Sequence, residues 1–322
     1  MLLSSKRWSR HPLYLYFAIY GSKIKDATST TYTNQVKNQH LKHVLELTFA
    51  TFLISTSGSL GRFIDMPAPV TIWWRSALAM LLLLAFCKYK KVNLKIQSKR
   101  DLVAFIFSAL FMASHWITYF IALQLSSVAI GMLALFTFPI MTTFLEPLFS
   151  KTKFDYMHLV LGAMVTLGIY ILSPELDFES DSVKGILFGL FSAFCYAMRI
   201  LILKQHVTKY NGSSLMFFQL LIISILLSPV LFFLDTTNIT TQFPYVIILA
   251  LVTTALGHTL FVQSLKHFKV STASIIGSTQ PIFGIIIAFF FLNEIPTWNT
   301  FFGGLLILST VVIESLRSRK AS

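Results

Sequence analysis

The sequence predicts an all-α polytopic membrane protein of ten transmembrane helices, arranged as two inverted five-helix repeats. Three observations carry this expectation. Of the 322 residues, 55% are hydrophobic and only 12% charged, against roughly 25% charged in a soluble domain, and the mean hydropathy is +0.71. The apolar residues fall in blocks of about 20, the length that crosses ~30 Å of hydrocarbon. Two stretches, 122–150 and 264–292, superimpose at an offset of 142 residues and each carries a proline.

The blocks place helices at 43–62, 68–87, 102–123, 128–150, 156–173, 183–203, 213–234, 243–264, 271–292 and 299–316. Ser55, Thr56, Ser57, Gly58, Ser59 and Gly61 make the first helix thin and locally polar. Gly185 and Gly189 in the sixth form a small-xxx-small pair for close helix approach, and Gly303-Gly304 does likewise in the tenth. Cys87 and Cys195 lie in or beside apolar segments and read as small core residues. Short connections make neighbouring helices antiparallel. Residues 1–42 are a polar, basic tail, disordered or interfacial; the apolar run Leu13–Tyr20 is too short to span, and no small-x-small cleavage site follows it.

A pI near 9.7 would suggest nucleic acid in a soluble chain. Here the charge marks membrane orientation. With the N-terminus inside, every one of the 26 Lys and Arg except Arg62, Arg75, Lys184 and Arg199 falls in an inside segment. The outside loops carry Asp65, Glu175, Asp177, Glu179, Asp181, Asp235 and Glu294 instead. Both termini are therefore expected in the cytoplasm, with membrane lipid rather than nucleic acid as the surrounding partner.

At the 142-residue offset Leu123 meets Leu265, Val128 meets Val270, Thr137 meets Thr279, Pro139 meets Pro281, Ile140 meets Ile282 and Gly162 meets Gly304. The halves, 43–173 and 183–316, then hold five helices each. An odd number inverts the second half, the build of secondary transporters whose solute sits near the midplane.

Candidate site residues follow from polarity at depth. Pro139 and Pro281 each lack an N–H, which in mid-helix leaves the carbonyls of Leu135 and Gly277 without a helical donor. Thr137 and Thr279 precede them by two residues, and Gln280 adds an amide. His115, Trp116 and His258 lie far from the helix ends and should face the bundle interior. Tyr119 is one turn from His115 and Trp116, so the three share a face and make an aromatic wall suited to a planar or amphiphilic solute. Arg75 lies about 10 Å from its helix end by helical rise. A mid-membrane Arg costs about 2.5–3.5 kcal/mol on insertion scales, so a structural pairing partner is expected. Arg199, nearer a cytoplasmic end, either snorkels or meets a substrate anion.

No Gly-rich phosphate loop, His-Glu-x-x-His, Cys pair or nucleophile elbow is present, so neither an enzyme nor a cofactor is expected. An intramembrane enzyme built on His115 and His258 and a passive pore are the competing classes. Two histidines are too few ligands for a metal site.

Several short motifs, in order, resemble those of EamA-type carriers of the drug/metabolite transporter superfamily. They are Trp74-Arg75, His115-Trp116 with Ala122-Leu123, and Ser126-Ser127-Val128-Ala129 leading to Pro139. Gly257-His258-Thr259-Leu260-Phe261 and Gln280-Pro281 followed by Asn293-Glu294 complete the set. The resemblance covers about 43–316. It implies a secondary transporter, an exporter rather than an importer, of a small organic metabolite such as an amino acid, coupled to protons or a counter-solute. A bacterial inner membrane is the expected home. Many such carriers place a Glu at the end of the fourth helix, where this chain has Thr152.

Overall fold

The computed structural model describes residues 41–149, 156–172, 177–264, 266–268 and 276–320. The tail, apart from its last two residues, lies outside the described residues, as do Leu265, Val270 and Thr152. All regular structure among the described residues is helical. In chain order these helices are α1 (Leu41–Phe63), α2 (Ala68–Tyr89), α3 (Lys99–Leu125) and α4 (Val128–Phe149). Next come α5 (Met157–Leu172), α6 (Asp181–Lys204), α7 (Gly212–Phe233) and α8 (Ile239–Ser264). Last are α9 (Gln280–Leu292) and α10 (Trp298–Lys320). Seven of them, α1–α4 and α6–α8, are long and apolar enough to cross a membrane; α5, α9 and the apolar part of α10 are shorter.

Polar residues start the helices, as orphan N–H groups require. The Ser98 hydroxyl accepts from Asp101 N, Ser127 from Ile130 N, Ser180 from Val183 N, and the Asn211 side chain from Ser213 N. Left-handed residues follow α2 and α9, Lys91 at φ 52° and Asn293 at φ 54°.

The prolines are placed differently from the sequence expectation. Helix α4 breaks after Leu135 and restarts at Phe138, so Pro139 stands in the first turn of a new helical segment. Pro281 likewise occupies the first turn of α9. A proline costs nothing there, because that N–H has no helical acceptor anyway. The chain interrupts the helix ahead of each proline instead of kinking through it.

Packing is inverted relative to a soluble protein. Large apolar side chains such as Phe232, Phe233, Phe290 and Phe291 point outward, whereas Arg75, Arg199, His115 and His258 are buried. Helix α3 runs against α6 over most of its length. The approach is close at Gly189, where an added Cβ would sit 2.6 Å from the Ala134 Cβ on α4, and at Gly185, 2.8 Å from the Ser126 Cβ. Overpacking of this kind costs about 1–3 kcal/mol. Gly189→Val is therefore expected to lower the thermal unfolding temperature in detergent by several degrees; an unchanged transition would mean α6 is free to move away.

At one end of α3, Asp101 ties the bundle to the α6–α7 connection. Its Oδ2 accepts from Lys209 Nζ at 2.5 Å and from the Tyr210 hydroxyl at 2.7 Å. That hydroxyl in turn accepts from Gln97 N at 2.9 Å. The carboxylate holds the Lys209 ammonium above the usual lysine range, chiefly through this hydrogen bond. A raised lysine stabilises fully below its unfolded value and loses that contribution as pH climbs through the folded one. Wild type should therefore lose stability on alkaline titration more steeply than Asp101→Asn, measured by thermal unfolding at a series of pH values. Parallel curves would show that the pair contributes nothing.

Candidate functional site

Deep in the bundle, six helices line one cavity of about 20 Å³, room for a single water. Helix α1 supplies Ile54 and Ser57, α3 supplies His115, Trp116 and Tyr119, and the α4 break supplies Leu135, Phe136 and Phe138. Tyr196 of α6, His258 and Phe261 of α8, Gly277, and Gln280 of α9 close it.

The ring arrangement follows from helix spacing and from two irregularities. His115 and Tyr119 are one turn apart on α3 and stack with an interplanar angle of 15°. Tyr196 lies 4.7 Å from the His115 ring and, edge-on at 87°, 4.7 Å from Phe138. Phe138 reaches that position because the helix restarts beside it. Across the cavity, Trp116 and His258 are 5.4 Å apart. His258 closes a ten-residue π-helical stretch, Leu249–His258, a widened turn common at functional positions.

Hydrogen bonding defines what the polar groups offer. His115 Nδ1 lies 2.7 Å from Ser192 Oγ, and that hydroxyl donates its one proton to the His115 carbonyl at 2.9 Å. Ser192 must then accept from Nδ1–H, which leaves Nε2 of the neutral ring as an acceptor. His258 Nδ1 has no partner among the described residues.

Two guanidiniums stand behind the cavity wall. The Arg75 guanidinium carbon is 3.9 Å from the Trp116 ring centroid, and its Nε donates to Thr254 Oγ1 at 2.6 Å. Thr254 is in turn held by its own bond to Leu249 O across the π turn, at 3.0 Å. Both terminal nitrogens of Arg75 lack a hydrogen-bond partner among the described residues. The expected pairing is thus with a hydroxyl and an indole face. Arg199 donates to Gln219 Oε1 at 3.1 Å and lies 5.6 Å from the Tyr196 ring. Gln219 continues to Ser108. At 1% exposure Arg199 does not snorkel; it turns toward the polar side chains of α3 and α7.

Of the residues predicted from sequence, His115, Trp116, Tyr119, His258 and Gln280 come together at this cavity. Thr137, Pro139, Thr279, Pro281 and Arg199 do not line it. Thr137 and Thr279 donate their hydroxyls to the carbonyls of Ala134 and Ile276, at 2.8 and 2.6 Å. The backbone N–H of each Thr donates to the same carbonyl, at 3.3 and 3.2 Å, so backbone and hydroxyl together close a tight turn at the helix break. Thr137 instead borders a separate cleft of about 360 Å³ with Phe144 and Gly162.

A third space, about 600 Å³, lies at the end of the bundle carrying Arg62, Ser127 and Glu294. There Glu294 Oε2 accepts from Val128 N at 2.9 Å, and Oε1 is 3.5 Å from Arg62 Nε. Arg62 also donates to Gln124 O. One carboxylate thereby joins the ends of α1 and α9 to the start of α4.

Comparison with known proteins gives these contacts a context. The model described as the EamA-like transporter family matches the chain twice, over residues 42–173 and 183–316. An uncharacterized transporter of Archaeoglobus fulgidus is 28% identical over 199 residues, 61% of this chain and 70% of the relative. An S-adenosylmethionine uptake transporter of Rickettsia felis is 29% identical over 124 residues, 37% of this chain and 42% of its own length. A solved crystal structure shares the fold with a TM-score of 0.63 at 14% identity, over 87% of this chain and 99% of that one.

Proposed function

Because the chain belongs to the EamA-like transporter family, we propose that it is a ten-helix secondary carrier working by alternating access. Residues 43–173 and 183–316 are its inverted halves, and 1–42 is a tail outside the transport unit. The supporting observation is the provenance of the cavity wall. Ser57, His115, Trp116, Tyr119 and Phe138 come from the first matched segment, and Tyr196, His258, Phe261 and Gln280 from the second. A solute held between two halves is released to either face as one half rocks against the other.

The solute is a small organic metabolite with a planar part, held between Trp116, Tyr119, Tyr196 and His258. Nε2 of His115 and the amide of Gln280 meet its polar edge. Thr137, Thr279, Pro139 and Pro281 act one step back, by setting the helix breaks that bring Phe136, Phe138 and Gln280 to the wall. At about 20 Å³, the cavity must widen to admit any metabolite, so this geometry is an occluded one. The Glu294 junction closes the outer end and the Asp101 junction the cytoplasmic end. Both termini lie in the cytoplasm of a bacterial inner-membrane protein. Export is the assigned direction and uptake, the direction named for the Rickettsia relative, is its competitor.

Counterflow in proteoliposomes tests the reading. Vesicles preloaded with a metabolite pool that includes amino acids and S-adenosylmethionine are challenged with labelled members. A carrier shows saturable uptake stimulated by internal solute, and His258→Ala or Tyr196→Ala reduces it at least tenfold. Flux that neither saturates nor responds to internal solute would make the protein a pore. Loading one side at a time assigns direction, and an imposed pH gradient reads proton coupling.

A further inference from the structure

Two guanidiniums lie in the bundle interior with no carboxylate paired to them among the described residues. Arg75 is fully buried, with both terminal nitrogens free of hydrogen-bond partners among the described residues. Arg199 is 1% exposed and its partners among the described residues are neutral: the Gln219 amide oxygen, the Met216 sulfur and the Tyr196 hydroxyl. Burial of a cation without a compensating charge is costly, and evolved interiors pair it. Several described carboxylates at the helix ends face other cations. Asp101 holds Lys209, Glu146 holds Lys204, Glu294 holds Arg62, and Glu314 holds Arg317. Among the described residues no carboxylate offsets Arg75 or Arg199, which leaves both cations open to an anion from outside the chain.

The two cations are not scattered. Arg75 stacks on Trp116 and Arg199 lies beside Tyr196, and these two rings belong to the same cavity. The positive field of both is thus directed at one space, where low dielectric strengthens it. His258, in that wall, adds an unpartnered ring nitrogen. Resting on the carrier reading above, we propose that the solute is a small planar organic anion, with Arg75 and Arg199 supplying the countercharge. Arg75 is then a specificity-determining residue and not a structural one. Its orienting elements are Thr254, placed by the π turn, and the Trp116 face.

A charge series built on one ring tests this with the wild-type protein in proteoliposomes. Counterflow is measured for phenylpyruvate, phenylalanine and phenyltrimethylammonium, which carry one negative charge, none net, and one positive charge. The expected result is at least tenfold faster saturable uptake of phenylpyruvate than of phenyltrimethylammonium. Arg75→Gln and Arg199→Gln should each erase that preference, while Arg75→Lys retains part of it. A cation transported as well as the anion, or a preference unaltered by folded Arg75→Gln, overturns the proposal, and so does uptake of none of the three. A resident inorganic anion would satisfy the same guanidiniums. In that case chloride or phosphate raises the unfolding temperature while phenylpyruvate does not, and the proposal also falls.

The carrier reading is checked separately on the same preparation. In a variant lacking Cys87 and Cys195, Ser57→Cys should react with a membrane-impermeant thiol reagent applied from either face. Labelling from both faces without an anion preference removes only the solute class. Labelling from one face only removes the carrier reading itself.

Discussion

Trp116→Ala is expected to reduce counterflow at least tenfold and to lower the unfolding temperature. The indole is 1% exposed and meets both the Arg75 guanidinium and the His258 ring. Truncating a buried Trp to Ala costs about 3–5 kcal/mol through lost transfer energy and the cavity left behind. A desolvated cation–π contact adds about 2 kcal/mol, and its loss strands a guanidinium already short of partners. Trp116→Phe keeps a ring over Arg75 and most of the volume. It should recover most of the stability while leaving a higher KM, because the cavity wall is shortened. Unfolding temperature and counterflow kinetics on both variants separate the roles. If Trp116→Ala transports with wild-type kinetics, the aromatic wall is not where solute binds.

Glu294→Gln is expected to shift the protein toward an outward-open state. The carboxylate accepts one backbone N–H at the start of α4 and faces the Arg62 guanidinium. It has a helix N-terminus and a cation as partners, both of which favour negative charge. Hydrogen bonds to charged groups are worth about 1.5–3 kcal/mol, discounted here because Arg62 is more than one-third exposed and solvent screens the pair. Even about 1.4 kcal/mol moves a two-state equilibrium tenfold. In the Ser57→Cys background, the impermeant reagent should therefore label from the outer face about tenfold faster when Glu294 is replaced by Gln. An unchanged rate would mean that this junction holds a loop and does not close the pathway.

Much of the organisation is legible in the residues themselves. Charge-poor apolar blocks dictate helices, because backbone polar groups in hydrocarbon have only each other to bond. The spacing of His115, Trp116 and Tyr119 puts them on one face of a helix, and all three reach the cavity. Gly185 and Gly189 mark a close helix approach, and no Cβ fits at either.

The rest depended on where helices stop and what lies across from them. Pro139 signals a disturbance here, but a kink through one continuous helix and a break before Phe138 are equally compatible with the local sequence. The break turns Phe136 and Phe138 into wall residues and sends the Thr137 hydroxyl to Ala134 O. Nor does the sequence around Arg75 name Thr254, 179 residues away, as its partner. Thr254 lies within the π stretch of α8, whose register a reading of single segments does not give.

Sequence by itself determined the class of environment, the helical content and the aromatic identity of one wall. These follow from transfer energetics and from periodicity within single helices, both local properties. Tertiary structure alone decided which polar groups share a cavity, that Arg199 is buried, and that Arg75 meets a hydroxyl and an indole rather than a carboxylate. Those outcomes are set by the rotation and register of one helix against another, which side-chain packing across the bundle fixes and no single segment encodes.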